Sequence, residues 1–335
     1  MSKRQTIIVL FFLLLTVVAF GAIPPGYYYF ARNKKKAELK TALAQIAAPL
    51  KVLKYGSGPG YTWEGFYYTD QNPDGSVIDM YSSKIRYFNG FFSVNEMHIE
   101  HSLPKSWWGS IENNAYKDLF HLYPADGVTN STKNNFPLGE VTGTPNFDNG
   151  VSKIGKNGFG GIYTDNCFEP ADEYKGDFAR SYLYVSTIYE NFAPLWNSPM
   201  MDNNTYPVWK PWAIDLLLKW HREDPVSEKE EKRCEAVYNI QGNRNPFIDY
   251  PELVEYIWGK DTTNIFPFPE ETEAFLLSPR KGSEIDFGVL LQNDTKTLEM
   301  FVQGINITSD VKISLIKKNS SFHLSSSTIS KDEIL

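Results

Sequence analysis

The stretch from Met97 to Asn130 constrains this chain more tightly than any other. Three of the five histidines, His98, His101 and His121, fall inside it. Met97 to His101 reads as a strand that stops at Ser102-Leu103-Pro104, because proline ends ladder pairing. Leu119, His121 and Tyr123 alternate with Phe120 and Leu122, which reads as a second strand closed by a turn at Asp126-Gly127. A helix can then start from Thr129 or Asn130. The resulting order of strand, histidine, strand, asparagine and helix brings a base, a carboxylate and a carboxamide into one short segment.

That combination suits metal-assisted phosphodiester hydrolysis. The reaction needs a nucleophilic water, charge neutralisation on the phosphoryl oxygens and a stabilised leaving oxygen, and one divalent cation beside one neutral imidazole supplies all three. His101 is the candidate base. Glu100 and the carboxamide of Asn130 are the candidate ligands of Mg²⁺, a hard cation that takes few protein ligands and keeps several waters. Strict alternation sends Glu100 and His101 to opposite faces, so both serve one site only if the strand breaks there. An ordinary imidazole base predicts activity that falls below about pH 6.5. Taken singly, the same residues have structural readings: His101 a strand-end histidine, Glu100 a solvated charge, Asn130 a helix cap. His121 either orients a site group through its ring or is a packed, hydrogen-bonded core histidine. Arg244 either clamps phosphate with its planar fork of donors or pairs with nearby acids in a structural turn. His98 and His221 read as structural, and His323 as a surface residue. A zinc site built on the His and Glu cluster lacks the usual ligand spacing.

The rest of the chain supplies a scaffold. Its 335 residues, 42% hydrophobic, suffice for one large core and a small second domain. Residues 1–21 read as an export signal, with Lys3 and Arg4 ahead of the apolar run Ile7 to Phe20 and a small-x-small cleavage site ending at Gly21. The run is short for a membrane anchor. Cleavage takes the formal charge from −7 to −9, since no acidic residue leaves with Lys3 and Arg4. Such acidity argues against a general affinity for nucleic acid, so any phosphate contact must be local. Cys167 and Cys234 either form one disulfide or stay as unpaired, partly buried thiols. Helical spacing marks 34–53, 177–190 and 212–220. Ser227 and Glu230 form a capping box for a further helix, and one more begins at Tyr250-Pro251-Glu252. The aromatic, turn-rich segment 56–87 suits short strands or ordered loops. The Pro- and Glu-rich stretch at 263–275 reads as a linker, and 276–335 as a small β-module, short for a complete immunoglobulin-like sandwich, with strands around 298–302 and 311–315. The expected class is α+β: a mainly helical domain over 22–262 followed by this module.

The blocks Glu100-His101-Ser102-Leu103-Pro104-Lys105-Ser106, Asp118 to Asn130, and Asn135-Phe136-Pro137-Leu138-Gly139 resemble, in that order, the endonuclease I family of secreted nucleases. The resemblance continues through Leu218-Lys219-Trp220-His221 and Gln241 to Asp249, covering roughly 24–259. It implies a ββα-metal motif in a helical scaffold, and cleavage of DNA and RNA with little sequence preference to 5′-phosphate ends. It also implies His101 as general base and Glu100 and Asn130 as ligands of Mg²⁺; whether Mn²⁺ or Ca²⁺ replaces Mg²⁺ is not written in the sequence. Lys133 and Asn135 are further candidates for substrate contact. Two positions depart from the family pattern: Phe120 stands where histidine is frequent, and Lys133 where arginine is usual. Lysine offers a point charge in place of a bidentate fork. These departures and the net acidity motivate a competing reading, a nuclease-derived surface protein that binds through its β-module.

Overall fold

The computed structural model describes residues 22–279, 285–291, 294–315 and 322–334. The expected export signal lies outside them. Helix α1 (Lys36–Ala47) buries Leu39, Leu43 and Ile46. It stops before the expected Leu53 because Ala48 precedes Pro49, and a residue ahead of proline is driven to extended backbone, here φ −62° and ψ 137°. The segment 56–87 contains a helix, α2 (Thr62–Thr69), where only strands or loops were read. Trp63 and Phe66 are buried on it, and Gly65 lets it close on Leu119, whose methyl carbons lie 2.9 Å from where a Cβ would stand. Packing overrides the strand preference of its aromatics.

Strand β1 (Met97–His101) pairs antiparallel with β2 (Leu122–Asp126), setting Glu100 opposite Tyr123 and His101 opposite Leu122. β2 begins at Leu122 rather than Leu119 because Asp118 holds the preceding residues in a turn. Its carboxylate accepts from the Phe120 amide at 3.0 Å, and its carbonyl from the amides of His121 and Leu122. Pro124 is tolerated in β2 because the sheet has only two strands. Helix α3 (Gly127–Lys133) follows without a turn. Asp126 is its N-cap, accepting from the Thr129 amide at 3.0 Å, so the helix starts ahead of the expected Thr129. Gly127 suits the close approach there, since a Cβ would stand 3.0 Å from the Glu96 carbonyl.

Strands β3 (Phe147–Asp148), β4 (Ser152–Lys156) and β5 (Asn166–Pro170) form an antiparallel sheet in that order, which the sequence reading left unassigned. Helix α4 (Lys175–Ile188) is buried from Gly176 onward on every side, as a central helix must be. It is the floor of the β1–β2–α3 segment. Tyr182 donates to the Ser102 carbonyl at 2.8 Å, Ser181 to the Phe120 carbonyl at 3.2 Å, and Tyr184 to Asp118 at 2.8 Å. Helices α5 (Pro211–Glu223), α6 (Glu228–Gln241), α7 (Pro246–Asp249) and α8 (Leu253–Ile257) complete the scaffold. Ser227 and Glu230 form the capping box of α6, and Gly242 ends it at φ +76°. Cys167 and Cys234 are both buried free thiols, so the disulfide alternative falls.

The stretch read as a linker docks on the body: Phe266 and Phe268 are buried against Tyr250. Beyond it, β6 (Phe275–Ser278) pairs with β7 (Gln303–Ile305), and β8 (Val311–Lys312) with β9 (Thr328–Ile329). The alternation at 298–302 lies just ahead of β7, and the strand expected over 311–315 keeps only its first two residues.

Candidate active site

Glu100, His101, Asn130 and Asn135 line one cleft of about 350 Å³, together with Tyr55, Lys105 and Ser106. No break in β1 is needed to bring the first two together. Pairing stays regular through His101 and continues with the Ser102 amide donating to the His121 carbonyl at 2.9 Å. The cleft lies along the open edge of a two-stranded sheet, where Ile99 also lines it. Side chains from both faces can reach such an edge.

His101 is buried, 5% exposed. Its Nε2 lies 3.0 Å from the Tyr116 carbonyl, which can only accept, so Nε2 carries the proton and Nδ1 is left as the ring's acceptor. Tyr55 stacks on the ring, with centroids 5.5 Å apart. Burial, reinforced by the neighbouring His121, holds the His101 pKa well below the ordinary imidazole value. The ring is therefore neutral at pH values where a solvated histidine would be charged, which corrects the acid limit read from an ordinary imidazole.

Glu100 Oε1 accepts from Lys133 Nζ at 2.7 Å, and Lys133 also reaches the Ser102 carbonyl at 3.3 Å. Burial pushes the Glu100 carboxyl above its usual range, and the Lys133 ammonium pulls it back. Lys133 is fully buried, lying 5.6 Å from the centroid of the Phe168 ring. It follows Asn130 by three positions on α3, so one helix face presents both to Glu100. Asp126 caps this helix, leaving Asn130 in its interior. The Asn130 carboxamide is bonded to no other described residue. A carboxylate and a carboxamide oxygen in one cleft could hold a hard, oxygen-preferring cation. Among the described residues no three His, Cys, Asp or Glu side chains gather, so a zinc site has no ligand set.

The other candidates separate. His121 is fully buried and does not line the cleft. Its Nε2 donates to the Ala115 carbonyl at 2.6 Å, and its ring centroid lies 5.7 Å from that of His101, so it packs behind that ring. Asn135 reaches Ser106 Oγ at 3.5 Å on the exposed rim. Arg244 is committed elsewhere, donating twice to Asp249, at 2.7 and 2.9 Å, and once to Glu235 at 2.8 Å. This is the structural-turn alternative. Phe120 is buried against Tyr184, outside the cleft. His221 is buried and His323 exposed, as read, whereas His98 is exposed. Lys105 is a cleft residue with no role in the sequence analysis. Its Nζ donates to Tyr116 Oη at 2.9 Å and lies 4.8 Å from that ring's centroid. A basic residue inside the same short motif as His101 was the available signal.

Known proteins similar to this chain are named as nucleases. The extracellular ribonuclease of Bacillus amyloliquefaciens is 35% identical over 230 residues, covering 66% of this chain and 73% of that protein. The extracellular ribonuclease of Bacillus subtilis (strain 168) is 33% identical over the same length, 66% of this chain and 74% of its own. The extracellular deoxyribonuclease of Aeromonas hydrophila is 26% identical over 133 residues, 39% of this chain and 48% of that protein. The class is thus that of the nucleases, hydrolases of phosphodiester bonds. The family model for endonuclease I matches residues 35–252, and the chain belongs to the endonuclease I family.

Proposed function

We propose that this chain is an exported, Mg²⁺-dependent endonuclease that hydrolyses DNA and RNA with little sequence preference and leaves 5′-phosphate ends. The observation that carries the reading is the fixed tautomer of His101, a neutral ring with its acceptor nitrogen set by the Tyr116 carbonyl, in one cleft with Glu100 and Asn130. Relatives named as ribonucleases and as a deoxyribonuclease support action on both polymers, and their being named extracellular supports export. Among the described residues no helix is long and apolar enough to cross a membrane.

In this reading β1, β2 and α3 are a ββα-metal motif. His101 Nδ1 takes the proton of the attacking water, while the Tyr116 carbonyl keeps the imidazole oriented and steadies the charge it gains. Glu100 and Asn130 hold the cation, which when bound neutralises phosphoryl oxygens as a Lewis acid. Lys133 favours the ionised form of Glu100 against its burial. Lys105 adds a cation on the cleft wall.

Plasmid and single-stranded RNA are the substrates for the test, each incubated with Mg²⁺, with a chelator, and with His101→Ala protein. Loss of the base should lower the rate by about 10² to 10⁴. Parent-like cleavage by His101→Ala would sink the assignment of the base. Intact nucleic acid in every lane, from folded protein, would favour the competing surface-binding reading.

A further inference from the structure

Asn135 lines both the cleft described above and a second one of about 480 Å³, which places the two side by side. Its walls carry Trp107, Phe136 and Tyr163, and its polar lining includes the carboxamides of Asn135, Asn166 and Asn197. The mechanism above uses none of these. Tyr163 is held from two directions. Its ring stacks on the buried Trp212 at 5.4 Å with planes 7° apart, and its hydroxyl donates to the Asn166 carbonyl at 3.0 Å. Trp212 sits on α5, so the ring is anchored to the scaffold and not to a free loop.

Charge decides which part of a polynucleotide this cleft can take. Its one lysine, Lys156, is 3.3 Å from Asp165, which lines the same cleft, and both side chains are largely exposed. A neutralised lysine offers little to a phosphate. Fixed rings and carboxamides, by contrast, match the faces and edges of bases. We infer that the second cleft is a subsite for unpaired nucleobases of the strand being cut, flanking the scissile phosphate, and that it makes the enzyme prefer single-stranded over duplex substrate. A duplex hides base faces in its stack, so only a single strand can fill the subsite. This rests on the nuclease reading of the adjoining cleft.

The test is binding of a labelled single-stranded oligonucleotide and of its duplex to full-length His101→Ala protein, by fluorescence anisotropy over a range of salt. Tyr163→Ala in that background should weaken single-strand binding by about 5- to 100-fold, the loss of one stacked base. Duplex binding and the slope of log K against log salt should not move, because no phosphate contact is lost. Asn197→Ala, at an exposed position that no fold contact requires, should weaken single-strand binding in the same direction. Single-strand binding unchanged in both variants overturns the subsite while leaving the nuclease intact. So does a Tyr163→Ala loss shared equally by the duplex. Failure of the parent to bind either nucleic acid overturns the nuclease reading and the subsite together.

Discussion

Lys133 is the residue on which the chemistry of the cleft turns. Its ammonium is the protein partner of a buried carboxylate, so removing it leaves a charge without compensation. Lys133→Met should cost about 3–5 kcal/mol in urea unfolding without added metal. If Glu100 is a cation ligand, Mg²⁺ should restore part of that loss, and the midpoint should rise more with Mg²⁺ in the variant than in the parent, by mass action on the folded state. Glu100→Gln should abolish the Mg²⁺-dependent shift in either background. A Mg²⁺ response that survives Glu100→Gln would place the cation elsewhere. His101, Glu100 and Asn130 were legible in the sequence because their order along a short segment is itself the signal. The group that sets the His101 tautomer was not legible: it is the Tyr116 carbonyl, a backbone atom that any residue would supply. Tyr55 was hidden for a different reason, since it reaches the ring only through the fold.

At the scale of elements, the junction of β2 and α3 carries the most consequence. Asp126 closes the strand, caps the helix through Oδ1 and takes Arg86 on Oδ2 at 2.6 Å and Lys84 at 3.0 Å. Burial raises its pKa, but the Thr129 amide, Arg86 and Lys84 outweigh that and leave it well below the usual carboxylate range. Asp126→Ala loses both the cap and the charge pair and should destabilise by about 3–5 kcal/mol. Asp126→Asn keeps a capping oxygen and should recover about 1 kcal/mol of that. Equal unfolding midpoints for the two variants would show that the cap contributes nothing. Helices with an apolar stripe or a capping signal, such as α1, α5 and α6, could be read from periodicity. α2 could not, because its eight residues are fixed by contacts with Leu119 and by the Arg233–Asp70 ion pair at its end. The sheet of β3 to β5 was equally hidden, since its pairing partners are held by turns rather than by strong alternation.

For the whole molecule, the helical scaffold is tied by buried charges whose titrations oppose each other. Arg180 on α4 donates to both oxygens of Glu230 on α6, at 2.5 and 2.7 Å, and lies 3.4 Å from His221 on α5. Asp177, one turn earlier on α4, pairs with Lys229 at 2.6 Å. Burial, then the nearby Glu230 charge, pushes Asp177 from 3.8 up to about 7, against the pull of Lys229 and Arg180. Burial, then Arg180, pushes His221 from 6.5 down to about 4, with Glu230 and Glu255 opposing. Between these limits the folded protein holds a proton on Asp177 that the unfolded chain releases, so this group loses stability as pH rises from about 4 to 7. His221 does the reverse, since the unfolded chain binds a proton there that the folded state excludes, and stability is lost as pH falls from about 6.5 to 4. The two slopes offset one another in the parent. Asp177→Asn leaves the His221 slope exposed, so its unfolding free energy from urea titrations should climb between pH 4.5 and 6.5 more steeply than the parent's, by on the order of 2–3 kcal/mol. His221→Gln should tilt the other way. Parallel pH profiles for parent and both variants would show that the network does not couple the scaffold to pH, whereas opposite tilts would mean that the same buried charges that join α4, α5 and α6 also keep the floor of the cleft equally stable across mildly acidic conditions.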